Sequence, residues 1–378
     1  MKYKLKEIFD LQMGKTPARN NDTYWNTKDY KWISIADLTS SDKYINDTKE
    51  HISKLAVLES GIKLIPANTV VMSFKLSIGK TAILSEDMYS NEAIMAFHDK
   101  HVVELLPEYI YYLIIAKNWA DGSNRAVMGQ TLNKATLSEI EVYIHTIEEQ
   151  RKIVKLMSYI EKVIYNRKEQ LQKFEDILRA RFVEMFVSKN YPREELDNLS
   201  YGKGEYGAQS ASVEYNSSRP RYVRITDIKE DGSLNDDVVC SANVEDDKLY
   251  KLKYGDFCFA RMGATVGKTY AYRGGNQIFA GYLIRYKLNL NRIIPEYLYE
   301  FTRLHEYRNW VSLNQSGAAQ PGINAKKYGS LRIPVAPLEE QRVFAKFVEE
   351  VNKSKVEVKK ALDEAQLLFD SLMQKYFG

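Results

Sequence analysis

Cysteine is nearly missing from this chain, with two residues, Cys240 and Cys258, among 378. A disulfide framework or a structural zinc site needs clustered ligands, so neither is expected to hold this protein together. Histidine is almost as scarce, at five scattered residues. The one close pair, His98 and His101 in "HDKH", lacks the helical His-Glu-x-x-His register and a third ligand, so it reads as two satisfied surface side chains and no metal is expected. No apolar run reaches the ~18 residues of a membrane helix, and the opening "MKYKLKEIFD" lacks the charged-then-apolar layout of a secretory signal. A cytoplasmic protein with no membrane partner is expected. An excess of one charge is missing too: 54 Lys and Arg against 50 Asp and Glu leave a formal +4. That falls short of the basic balance that announces nucleic-acid binding by itself, so any DNA contact must come from local patches.

Catalytic signatures are also lacking. An amino-methyltransferase would need an Asn/Asp-Pro-Pro-aromatic tetrapeptide and a Gly-rich cofactor loop, and neither occurs. There is no Ser-His-Asp signature and no His-Glu-x-x-His helix. "EDDK" at 245–248 has the residue types of a nuclease centre but lies in an acidic stretch between strand-like runs and reads as a solvated turn. "GATVGKT" (Gly263 to Thr269) resembles a phosphate-binding loop but is one residue short, with Met262 where the first glycine belongs, so it cannot form the same nest of amides. No catalytic residue and no cofactor are expected.

What is present is a chain long enough for two or more cores, 44% hydrophobic, with 27 tyrosines suited to half-buried strands and to contact surfaces. Its strongest signal is internal repetition at an offset of 188 to 191 residues. "WISIADL" answers to "VRITDI", each a β-type run closed by an Asp, Asp37 and Asp227. "LIPANTVVMSFKLSIGKTAIL" answers to "LKYGDFCFARMGATVGKTYAY", read as strand, Gly-containing loop, strand, so Gly79, Lys80 and Thr81 repeat as Gly267, Lys268 and Thr269. "PEYIYYLI" answers to "PEYLYEFT", with Pro opening a short amphipathic helix. "GQTLNKATLSEIEVYI" answers to "AQPGINAKKYGSLRIPV", and "IEEQRKIV" answers to "LEEQRVFA".

Each "EEQ" run opens a stretch, 148–187 and 339–377, without Gly or Pro and rich in Glu, Lys, Leu and Val. Both read as helices, the first begun by a capping box of Thr146 and Glu149. A seam at 3-then-4 spacing passes through Phe344, Phe347, Val351, Ser354, Val358, Ala361, Ala365, Leu368 and Leu372 in the second helix. The matching positions in the first are Ile153, Leu156, Ile160, Val163, Arg167, Gln170, Phe174, Ile177 and Arg181, a partly polar seam that drifts onto Leu171, Leu178 and Phe182. A helix of about 40 residues is roughly 60 Å long and needs a partner helix. With domain termini close together, the two helices are expected to run antiparallel. The expected fold is α+β: two similar α/β domains, 1–146 and 190–337, separated by a pseudo-two-fold symmetric, antiparallel two-helix coiled coil of 147–189 and 338–378. A charged helical hairpin with no spacing role is the bland alternative.

Two similar but non-identical globules on one rod suit the reading of two nearby sites on a long polymer at fixed distance, as dimeric DNA readers do. The ordered set of globule, "GKT" loop-strand, "SGAAQPGIN" or its counterpart, and "EEQ" helix, occurring twice, resembles the specificity subunit of type I restriction-modification systems along the whole chain. One departure is "YIHTIEEQ", where that family usually shows a proline. The resemblance implies two target-recognition domains, each reading half of a bipartite asymmetric site in double-stranded DNA, with the helices setting the gap. It further implies two adenine methyltransferase subunits docked on the outer helix faces and ATP-driven restriction translocase-nuclease subunits attached to these. A specificity subunit serving a fused nuclease-methyltransferase, or a coiled-coil protein-binding scaffold, are the rivals.

Phosphate contacts call for Lys or Arg on loops, and base reading calls for side chains that bond two edge atoms at once. The candidates in the first globule are Lys15, Arg19, Asn20 and Asn21 beside Trp25, then Lys75, Ser77 and Lys80, then Arg125, Gln130 and Asn133. In the second they are Lys203, Tyr206, Gln209, Arg219 and Arg221, then Arg261, Thr265 and Lys268, then Gln315, Gln320 and Asn324. For each one a solvated loop side chain is the alternative.

Overall fold

The computed structural model describes residues 1–378 except positions 26, 76, 118, 120–131, 245 and 317–320. The chain forms two compact units, Met1–Arg167 with Ala361–Gly378, and Lys168–Lys360. The fold is α+β, and the two units repeat one plan.

In unit 1 a five-stranded sheet has the order Phe9–Met13, Ile94–Asp99, Val70–Ser73, Thr81–Leu84, Tyr44–Ile45. In unit 2 a four-stranded sheet runs Glu205–Tyr206, Leu283–Lys287, Asp256–Ala260, Thr269–Ala271, the same order with no fifth strand among the described residues. Register agrees as well: Val70 faces Phe97 and Ile83, and Phe257 faces Tyr286 and Ala271. A parallel pair accompanies each sheet, Tyr30–Ile33 with Tyr89–Ser90 and Arg221–Val223 with Gln277–Phe279. An outer antiparallel pair closes each globule, Lys2–Lys4 with Glu141–Tyr143 and Arg193–Glu195 with Arg332–Pro334.

The "EEQ" glutamine explains how a globule grips its helix. Gln150 is fully buried and accepts from the Leu106 N–H (3.1 Å) while donating to the Glu104 and His145 carbonyls (2.9 and 3.0 Å). Gln341, also fully buried, makes the same three bonds: from the Ile294 N–H (3.1 Å) and to the Arg292 and Ala336 carbonyls (2.9 and 2.7 Å). Each clasp satisfies main-chain groups before a Pro-led helix, Pro107–Ala116 or Pro295–Phe301, where proline's fixed φ suits the first helical turn. The tyrosine two residues after each proline donates outward to the last short strand, Tyr109 to the Tyr143 carbonyl (3.2 Å) and Tyr297 to the Pro334 carbonyl (2.7 Å).

The long helices span Ile147–Phe182, continued by a π turn Val183–Val187, and Leu338–Phe377. Thr146 and Glu149 form the expected capping box, the Thr146 N–H donating to the Glu149 carboxylate (3.0 Å) and the Glu149 N–H to the Thr146 hydroxyl (3.3 Å). Within unit 1, Ile153 and Met157 share a core with Phe377. There Phe377 and Tyr376 lie by His145, whereas Phe369 lies by Tyr112, which bonds Glu161. Within unit 2, Phe182 and Phe186 pack on Phe344, while Glu175 pairs with Lys355 further along. In each unit, therefore, the two helical segments run antiparallel.

The buried stripe departs from the expected seam at alternate positions. In the first helix Ile153, Met157, Ile160, Ile164, Leu178 and Phe182 are buried, with Val163, Leu171 and Phe174 partly so, while Leu156 and Ile177 are exposed. In the second, Phe344, Val348, Val351 and Val358 are buried, Phe347, Ala361, Ala365, Phe369 and Leu372 partly so, and Leu368 is half exposed. The drift onto Leu171, Leu178 and Phe182 is present. The spacing is 4-then-3 from Ile153, not 3-then-4, because both frames offer apolar residues and the globule cores take Met157 and Leu178. The run "WISIADL" also differs: the strand stops at Ile33, and Ser34 caps a helix Ile35–Ser40 with Asp37 in its capping box.

Candidate nucleic-acid interface

The repeated "GKT" segment is a strand-turn-strand element in both units. In unit 2 the Gly267 N–H bonds the Ala260 carbonyl (3.0 Å) and the Ala260 N–H bonds the Lys268 carbonyl (2.8 Å), closing a turn between adjacent antiparallel strands. A phosphate-binding loop leads into a helix, so this geometry is not one. Gly267 has φ +88° and a Cβ there would lie 2.9 Å from the Val311 side chain; Gly79 has φ +91° and a Cβ would lie 3.1 Å from Trp119. Both are turn glycines that also admit a neighbouring side chain.

In unit 1 the loop after Gly14 is braced from beneath: the Trp32 indole N–H donates to the Lys15 carbonyl (3.1 Å). In unit 2 the Tyr222 hydroxyl does the same to the Ala208 carbonyl (2.7 Å). On these braces the candidate side chains fall into distinct settings. The Lys15 ammonium bonds the Ser60 carbonyl, and Arg19 pairs with Glu50 while lying 3.9 Å above Trp25 and 4.8 Å from Trp32. Trp25 is buried edge-on against Trp32, the packing wall expected of it. Asn20, Lys75, Ser77 and Lys80 are exposed, with Lys75 over the Phe74 ring and Ser77 at φ +48°. Asn21 and Asn133 are N-caps, accepting from the Thr23 and Thr136 N–H groups. Arg125 and Gln130 lie outside the described residues.

In unit 2, Lys203, Gln209, Arg219 and Gln315 are exposed. Arg221 pairs with Asp236 (2.6 Å) and Lys268 with Glu230 (2.7 Å). The Thr265 hydroxyl donates to the Met262 carbonyl, and Asn324 caps the helix Ala325–Gly329. Tyr206 accepts from the Ala325 N–H (3.2 Å), and Arg261 lies against Tyr206 and Tyr282. Gln320 lies outside the described residues. A groove of about 500 Å³ beside the Gly267 turn adds Lys229, Arg308 and Ser312. Sequence reading missed these because Arg308 and Ser312 sit on a helix, His305–Asn314, rather than on a loop.

Among the described residues no group of three or more His, Cys, Asp or Glu is placed to hold a metal. His98 is half-buried rather than a satisfied surface residue: its Nε2 has no hydrogen-bond partner and burial lowers its pKa, while His101 is exposed beside Asp99. Cys240 and Cys258 are buried and free. In "EDDK", Asp246 accepts from the Lys248 N–H (3.1 Å) at a 3-10 turn, as a solvated turn would. Among the described residues no helix is long and apolar enough to cross a membrane.

The class of protein follows from two braced globules, each clasping a long helix. The family model for the type I restriction modification DNA specificity domain matches residues 1–175 and 202–365. The chain belongs to this family. It is 30% identical over 188 residues to the specificity subunit of the type I restriction enzyme MjaIX of Methanocaldococcus jannaschii, covering 49% of this chain and 43% of that relative. The matched stretch thus spans less than half of that relative's length. A putative type I restriction enzyme MjaX specificity subunit of the same organism is 22% identical, covering 94% of this chain and 89% of it. Among solved structures, a chain from work on complex assembly and conformational transition of the type I R-M system superposes with TM-score 0.64 at 16% identity, covering 100% of this chain and 97% of that one. At that identity the likeness concerns the fold alone.

Proposed function

We propose that this chain is the non-catalytic, cytoplasmic DNA-reading subunit of a type I restriction-modification complex. The globules of residues 1–146 and 190–337 each read one half of a bipartite asymmetric sequence in double-stranded DNA. The helices of 147–189 and 338–378 set the gap between the halves, and their outer faces dock two methyltransferase subunits, to which restriction translocase-nuclease subunits attach. The observation that carries this reading is the duplication itself: the Gln150 and Gln341 clasps share their three bonds, while the loops keep some candidate side chains, such as Lys80 and Lys268, and differ in others, such as Arg19 stacked on Trp25 in unit 1 and Arg221 paired with Asp236 in unit 2. Like scaffolds with unlike loops give two words joined at a set distance.

The test is exchange. Replacing residues 1–146 with the corresponding domain of another specificity subunit changes one half of the sequence methylated by the assembled complex and leaves the other half intact. Inserting one heptad in each long helix lengthens the gap without altering either word. Methylation-site sequencing of host DNA reads both outcomes, and an unchanged target after both changes defeats the proposal.

A further inference from the structure

We infer that Arg261 is the guanine-reading side chain of unit 2, held edge-on to the base by Tyr206 and Tyr282. This rests on the DNA-reading function proposed above and goes further, naming the residue and the base it selects.

The first observation is the absence of a competing partner. Arg221, Arg224, Arg285 and Arg303 in the same unit each pair with a carboxylate. No hydrogen bond or ion pair to another described residue holds the Arg261 guanidinium, whose Nε is buried without a partner. It is flanked instead by rings, its central carbon 4.9 Å from the Tyr206 centroid and 6.0 Å from that of Tyr282, both exposed tyrosines. Aromatic faces orient the planar guanidinium while leaving its hydrogen-bond donors unused.

The second is a rigid mount. The Arg261 N–H bonds the Tyr282 carbonyl (3.0 Å), and its own carbonyl accepts from the Ile323 N–H (2.9 Å). Gly322 packs so closely that a Cβ there would lie 3.2 Å from the Arg261 carbonyl oxygen. Two separate segments, at Tyr282 and at Gly322–Ile323, thus converge on one main-chain position, so that the side chain projects from a fixed root.

The third is the contrast with unit 1. The Phe74 N–H bonds the Ala93 carbonyl (2.9 Å) just as Arg261 bonds Tyr282, and Met13 takes the register position of Tyr206, opposite Met95 where Tyr206 faces Ile284. Where unit 1 carries Met13, Phe74 and Ala93, none with a side-chain hydrogen-bond donor, unit 2 carries Tyr206, Arg261 and Tyr282. The backbone is shared and the chemistry is not, which is where two halves reading different words must diverge. Guanine is the base whose major-groove edge offers two acceptors, O6 and N7, to one guanidinium.

The experiment uses the subunit assembled with its methyltransferase partners and duplexes carrying the target read by methylation-site sequencing, with the unit 2 half assigned by domain exchange. Each guanine of that half is replaced in turn by 7-deazaguanine, which lacks the N7 acceptor. The wild-type complex is expected to lose affinity roughly ten- to hundredfold at one guanine. Arg261→Ala is expected to bind about as weakly as that substituted duplex and to be indifferent to the substitution, with discrimination elsewhere and in the other half unchanged. Arg261→Lys, which keeps the charge without the fork, is expected to recover overall affinity but little of the selectivity. If Arg261→Ala weakens every duplex by the same factor, the residue contacts phosphate and the inference is overturned; unchanged selectivity overturns it too. Should Arg261→Ala fail to fold, the 7-deazaguanine scan with wild-type protein still decides, since no sensitive guanine in that half ends the inference. A wild-type complex that prefers no sequence would instead defeat the DNA-reading proposal itself.

Discussion

At the scale of single residues, buried polar groups show where this fold is committed. Gln150 and Gln341 each satisfy three main-chain groups, and an unsatisfied buried donor or acceptor costs about 1–3 kcal/mol. Gln341→Met, close in volume but unable to bond, is expected to lower unfolding free energy by at least about 2 kcal/mol in urea titration, and Gln150→Met to do the same. Glu300 is a different case. It is nearly fully buried, its nearest cation is the Arg303 Nε at 3.9 Å, and Glu175, Arg179 and Lys355 surround the pair. Burial pushes its carboxyl up to about 7, above the ordinary 4.5. The folded state therefore keeps a proton that the unfolded chain releases. The resulting stability is complete below pH 4.5 and is lost as pH rises through 7. Glu300→Gln, which fixes the neutral form, is expected to raise the melting temperature at pH 8, corresponding to roughly 1–3 kcal/mol, and to change it little at pH 4. Asn21, Asn133 and Asn324 teach a related point about the candidate interface. Asn bonds a base edge and a helix N-terminus with the same atoms, so composition alone does not separate the two roles, whereas the short helices that follow all three residues do.

At the scale of elements, the helices were the most legible part of the sequence and their buried face the least. Forty residues without Gly or Pro, opened by a capping box or a Pro, admit no other structure. The stripe is another matter: Leu156 competes with Met157, Val163 with Ile164, and Ile177 with Leu178, and apolarity ranks none of these pairs. Contact decides them, since Met157 joins the core of unit 1 and Leu178 that of unit 2. Met157→Ala is expected to cost about 2–4 kcal/mol of unit 1 stability, as loss of a core side chain does. Leu156→Gln one position earlier should stay within about 0.5 kcal/mol. Differential scanning calorimetry of the two variants checks the frame directly, and equal losses would restore the 3-then-4 seam.

At the scale of the whole molecule, the repeat makes a prediction that no single residue makes. A formal charge of +4 gives no strong attraction to DNA overall, so binding must come from exposed cations on the loops, such as Lys75, Lys80, Lys203 and Arg219. Affinity of the assembled complex for its target is expected to fall steeply between 50 and 200 mM salt, by roughly a factor of ten or more for each two or three phosphates neutralised. Fluorescence anisotropy at several salt concentrations measures the slope, and a flat dependence would point to a protein-binding scaffold instead.

Order and chemistry of segments were determined by sequence alone: the duplication, the two helices, the absence of catalytic motifs and the identity of "GKT" as a repeated loop all follow from local pattern, because turns, caps and periodicity are properties of neighbouring residues. Tertiary structure alone decided which face of each helix is buried and which cations are already paired. It also decided that Arg261 stands where the first unit has Phe74. Those facts depend on segments far apart in the chain being brought together, as Lys355 is to Glu175, 180 residues away, and no local pattern encodes the distance between them.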